Sequence, residues 1–188
     1  MNKAIRRGDN SIIYIVYDFD NCTFLDLLHI CRQRLEQHRP GCKAASVLLM
    51  CTGAEGCIYM FRKIVLTPQK MRRVQYQDIK MFWRCLGELV SKASSEDSAI
   101  HLLGGSLNNT QGKTLLYETQ KSLLPNLATV SWVEENTDHG RQVIDLYFDY
   151  RKFLLWRAKN DSTHLLDYTD ITRSWSSLAE EAEDMDTS

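Results

Sequence analysis

The chain has 188 residues, 44% of them apolar, and a formal net charge of -1. It is long enough to close a hydrophobic core and too apolar for a disordered chain. The near-neutral balance excludes nucleic-acid binding through a global positive field, and no apolar run is long enough to cross a membrane.

Six cysteines occur, with no CxxC pair and no Cys/His cluster at zinc-ligand spacing. Residues 1–10 are polar and basic and lack the apolar core of a signal peptide. Together these lead us to expect free thiols and a cytoplasmic protein, with no nucleic-acid partner and no membrane span.

The run Ile12-Ile13-Tyr14-Ile15-Val16-Tyr17 is apolar, β-branched and aromatic throughout. It reads as a strand buried on both faces. Phe24, Leu27, Leu28, Cys31 and Leu35 then recur at helical spacing until Pro40-Gly41. Residues 45–51 form a second buried strand, and 58–65 is a weaker strand candidate ahead of the basic cluster Lys70, Arg72 and Arg73. Residues 76–92 carry the clearest helical stripe, Ile79, Phe82, Trp83, Leu86, Leu89 and Val90. A third strand at 99–103 runs into the loop Gly104-Gly105-Ser106-Leu107-Asn108-Asn109. A helix at 113–124 stops at Pro125, and a fourth strand follows at 127–133. Val143, Leu146, Tyr147, Tyr150, Phe153 and Leu154 place one long helix at the end.

This alternation predicts an α/β fold, a single Rossmann-like three-layer sandwich with a mainly parallel sheet. Its organisation reads as a polar extension at 1–10, the α/β domain at 11–175, and an acidic, flexible tail at 176–188 that carries Glu180, Glu181, Glu183, Asp184 and Asp186.

Open parallel sheets bind ligands beyond the carboxyl ends of their strands. Asp18 and Asp20 fall there, and two carboxylates at that place suit a divalent cation or phosphoryl chemistry. The competing reading is a turn that caps the next helix. Asn21, Gly53, Gly104, Gly105 and Ser106 are the further ligand-binding candidates, all in loops after strands. Gly112-Lys113-Thr114 matches the tail of a phosphate-binding loop. Leu107 stands where the first glycine is required, so a flexible turn is the better reading. His101, inside a strand, reads as a hydrogen-bonded core group. Phe82, Trp83, Arg84, Tyr147, Tyr150, Arg151, Trp156 and Arg157 are of types that suit either core packing or an interface.

Two resemblances add expectations. Asp18-Phe19-Asp20-Asn21-Cys22 after a strand resembles the first motif of haloacid-dehalogenase-like phosphatases. It implies Asp18 as nucleophile, Asp20 as acid/base, Thr52 as the phosphoryl-binding hydroxyl, a phosphorylated small-molecule substrate, and Mg2+ held by Asp18 and Asp20. Gly105 and Asn109 stand where that family has metal-binding aspartates, which implies an inactive member. The order Tyr17-Asp18-Phe19, an Arg-bearing helix with Arg32 and Arg34, then Gly53 and Gly56, with Trp83-Arg84 and Leu123-Leu124-Pro125-Asn126 later, looks like the N-terminal half of GT-B glycosyltransferase-like proteins. That likeness implies a nucleotide-sugar or sugar acceptor as ligand, in an incomplete or partner-dependent transferase domain. The glycosyltransferase-like reading stands first. A phosphatase-like domain and a non-enzymatic domain that binds a protein partner are the alternatives.

Overall fold

The computed structural model describes residues 3–6, 11–92 and 98–164, with side chains to 159. Two compact units emerge, Gly8–Val143 and a smaller one formed by Met1–Arg7 with Ile144–Ser188.

The larger unit holds the sheet. Helix α1 (Phe24–His38) opens with a capping box, in which Thr23 Oγ1 accepts from the Asp26 N–H while the Asp26 carboxylate accepts from the Thr23 N–H. Strand β1 (Ser46–Met50) follows, then a hairpin of β2 (Ile58–Phe61) and β3 (Ile64–Leu66). Short α2 (Pro68–Arg72), a 3-10 turn (Val74–Tyr76) and α3 (Gln77–Glu88) lead to β4 (Ala99–Leu103). Helix α4 (Thr110–Leu123) connects β4 to β5 (Thr129–Val133). The three-stranded sheet has order β1-β4-β5 and is parallel throughout. The expected α/β architecture, a parallel sheet flanked by helices, is what the chain adopts.

Central β4 is buried along its whole length. Ile100 and Leu102 join the main core with Phe24, Leu27 and Leu28 of α1, Phe82, Trp83 and Leu86 of α3, and Leu115 and Leu123 of α4. The aromatic stripe of α3 is therefore core: Phe82 and Trp83 sit 5.3 Å apart, edge to face, with no exposed surface to offer a partner. Ala99, His101 and Leu103 point to the opposite face by strand alternation and are buried there too.

The outer edge of β5 is finished by a side chain. Gln120 of α4 donates from Nε2 to the Ala128 C=O at 3.0 Å and accepts the Val130 N–H at 2.7 Å. Its carboxamide thus fills the place of a neighbouring strand's peptide group.

Several sequence expectations need correction. Residues 12–17 belong to no strand, and their side chains are half-buried or exposed. The apolar run reports burial of Ile15 and Tyr17 against the core, and burial alone does not make a ladder. The 58–65 region is two strands, because the chain reverses at Arg62-Lys63. The single long final helix is two, α5 (Asp138–Tyr147) and α6 (Tyr150–His164). Asp149 breaks it: its carboxylate caps the Lys152 N–H, its carbonyl accepts from Phe153, and its own N–H donates to the Ala4 C=O. In this smaller unit the ring of Phe148 packs tilted against Phe153 and that of Phe153 against Trp156, while Leu146, Leu154 and Leu155 are exposed. The acidic tail lies outside the described residues.

Candidate functional site

Two glycine-bearing loops meet beyond the carboxyl ends of β1 and β4. The Cys51 N–H donates to the Leu103 C=O at 2.8 Å, the Gly56 N–H to the Ser106 C=O at 2.9 Å, and the Tyr59 N–H to the Thr52 C=O at 2.9 Å. Thr52, Gly53, Gly104, Gly105 and Ser106, all singled out from the sequence, are therefore gathered at one sheet edge. Their glycines serve contact between backbones. A Cβ on Gly53 would lie 2.5 Å from the Cys57 carbonyl oxygen. Gly104 has φ +117°, and a Cβ there would stand 1.9 Å from the Cys51 carbonyl oxygen. The loops fill each other's space. At the start of α4, Asn109 Oδ1 accepts the Gly112 N–H at 2.7 Å and caps the helix, so that donor is already used within the chain.

Asp18, Asp20 and Asn21 form a separate turn ahead of α1. Asp18 Oδ1 accepts from the N–H groups of Asp20 (2.9 Å) and Asn21 (3.3 Å), and Oδ2 accepts from Asn21 Nδ2 at 2.8 Å. The Asn21 amide, then the Asp20 N–H, hold the Asp18 carboxyl below the usual carboxylate range. Asp20 pairs with Arg62 of the hairpin at 3.4 Å, with both side chains exposed. Among the described residues, no hydrogen bond or ion pair joins this turn to Thr52, Gly53, Gly104, Gly105 or Ser106. Among the same residues, no group of three or more His, Cys, Asp or Glu side chains could hold a metal ion. The turn-forming role of Asp18 is the one its geometry displays.

Sequence reading missed the partners of these groups. Arg62 gave no signal of its own, because its pairing joins the hairpin turn to Asp20, 42 residues earlier in the chain. Tyr17 donates its hydroxyl to the Met60 C=O at 2.9 Å, and burial, with the nearby Cys51 and Cys22 thiols, pushes its pKa up to about 12. His101 behaves as its position in a strand suggested: Nδ1 lies 2.8 Å from Ser131 Oγ on β5. Burial, and then the charge of His139 on α5, lower its pKa.

The class these features define is an α/β domain with a parallel sheet and tightly closed loops beyond the carboxyl ends of its strands. No protein-family model matches the chain, and no solved structure matches it. Its sequence is similar to proteins named NMDA receptor synaptonuclear signaling and neuronal migration factor. The Homo sapiens relative is 34% identical over 168 residues, 89% of this chain and 31% of that protein. The Danio rerio relative is 33% identical, covering 89% of this chain and 29% of its own length. The chain spans about a third of the length of the curated relatives it matches.

This similarity corrects the functional expectation. Proteins related over nearly the whole chain are named as a signaling and migration factor, so the glycosyltransferase-like reading falls, and the phosphatase-like alternative falls with it. A nucleotide-sugar or phosphorylated small-molecule partner has no support. Among the described residues, no helix is long and apolar enough to cross a membrane.

Proposed function

We propose that this chain is a non-enzymatic α/β module through which a cytoplasmic signaling protein binds a protein partner. The similarity to the synaptonuclear signaling factor over 168 residues carries the reading. The larger unit also exposes Leu25, Val74, Tyr117 and Leu127, large apolar side chains on its outer surface. Two measurements test it. Aryl-phosphate hydrolysis with magnesium should show no turnover that Asp18→Asn removes; turnover that this substitution abolished would make the chain an enzyme. In cultured neurons, the tagged chain should change its nuclear fraction after NMDA-receptor stimulation, and an unchanged fraction would count against the signaling role.

A further inference from the structure

Two residues of β1, Leu48 and Met50, leave backbone groups open on its outer edge. The Cys51 N–H bonds to β4, so alternation turns the N–H and C=O of Val47 and Leu49 to β4 and those of Leu48 and Met50 outward. Neither Leu48 nor Met50 has a partner on that side among the described residues. The backbone of residues 12–16 makes no hydrogen bond there either.

Handedness places the unpaired segment at that edge. The β1-α3-β4 and β4-α4-β5 crossovers step the same way across the sheet, and right-handed crossovers of that kind put their helices on one face. Helix α1 buries Phe24, Leu27 and Leu28 in the same cluster as α3 and α4. A right-handed unit of residues 12–17, α1 and β1 therefore needs the segment beside the edge of β1 that β4 leaves free.

Parity gives the same answer independently. In β1, the cluster-facing residues Val47, Leu49 and Cys51 aim their N–H groups at β4. In β5, cluster-facing Val130 aims its N–H away from β4, at Gln120. A cluster-facing residue in this parallel sheet thus points its N–H from the β1 side toward the β5 side. Ile15 and Tyr17 face the cluster while Val16 is exposed. In an extended segment outside β1, Ile13, Ile15 and Tyr17 aim their N–H groups at its open edge.

We propose that residues 12–17 are a fourth strand, which pairs in parallel with the outer edge of β1, with Ile13 opposite Val47, Ile15 opposite Leu49 and Tyr17 opposite Cys51. In that register the Ile15 N–H donates to the Leu48 C=O and the Met50 N–H donates to the Ile15 C=O. Ile15, Tyr17, Val47, Leu49 and Cys51 all pack against the same cluster, and that shared packing fixes the parity of the pairing. The structure holds the strap with its side chains seated and its ladder open. Nothing in this pairing depends on which partner the chain binds.

Residue-by-residue amide exchange on the full chain tests it. The amides of Ile13, Ile15, Leu48 and Met50 should exchange about tenfold or more slowly than those of Tyr14 and Val16. Val16→Pro, which removes an N–H pointing away from β1, should leave Leu48 and Met50 protected; Ile15→Pro should abolish their protection. Equally fast exchange at all six amides would overturn the proposal, as would protection at Tyr14 and Val16 instead. If Ile15→Pro fails to fold, the alternating pattern in the unaltered chain decides.

Discussion

Gln120 reaches from α4 to the outer edge of β5 and plugs it with one carboxamide, whereas Leu48 and Met50 across the sheet meet no such side chain. An exposed strand edge invites pairing with another chain, and proteins close such edges by side chains, bulges or covering segments. A plug on a helix is fixed as long as the helix is. A covering segment can be lifted without unfolding the sheet. The difference is that the β5 edge is closed by a side chain already in place, while closing the β1 edge falls to the backbone pairing proposed for residues 12–17.

The largest effect should come from breaking the frame that both edges share. Gly104→Ala drives a Cβ against the Cys51 carbonyl at the junction of β1 and β4 and demands a positive φ. Urea unfolding should show a loss of about 3 kcal/mol or more; an unchanged midpoint would mean that the junction is loose and that the edges cannot be compared as parts of one rigid sheet.

Gln120→Leu turns the plugged edge into a second open one. The lost hydrogen bonds should cost roughly 1–2 kcal/mol. Sedimentation should show more concentration-dependent self-association than the parent chain; a variant that matches the parent in association and stability would show that the plug is ornamental.

Mild acid should act on the β5 side, with the smallest effect of the three. His101 ties β4 to Ser131 of β5 and has its pKa lowered below 6.5 by burial and by His139. The unfolded chain binds that proton more readily, so the stabilisation is complete above pH 6.5 and is lost as pH falls through the lower folded value. His101→Gln should flatten the pH dependence of the melting temperature over that window. A dependence that persists in the variant would assign it to other groups.

The sheet strands were legible because β1, β4 and β5 are short apolar runs bounded by turn residues, and the helices because their stripes repeat at helical spacing. The segment at 12–17 shows the limit of that reading. Its composition is apolar throughout although Val16 is exposed, and pairing depends on where α1 and β1 carry it. The break at Asp149 was hidden in the same way, since apolar residues on both sides keep one periodicity. Of the candidate site, the gathering of Thr52, Gly53 and Gly104 at one edge followed from their place after strands. That their glycines would pack on one another, and that Asp18 would spend its oxygens on its own turn, depends on distances between loops that no spacing records. Gln120 gave no signal because a polar residue on a helix looks the same whether it meets water or a strand.

Burial pushes the thiol of Cys51 up to about 12 and that of Cys31 up to about 11. Thiolates are the reactive species, so near neutral pH both sulfurs are almost silent toward alkylating reagents while the domain stays closed. Cys51 lies at the corner where β1 ends and Tyr17 is seated. Its labelling rate is therefore a chemical clock for the opening of that corner, already installed in the native chain.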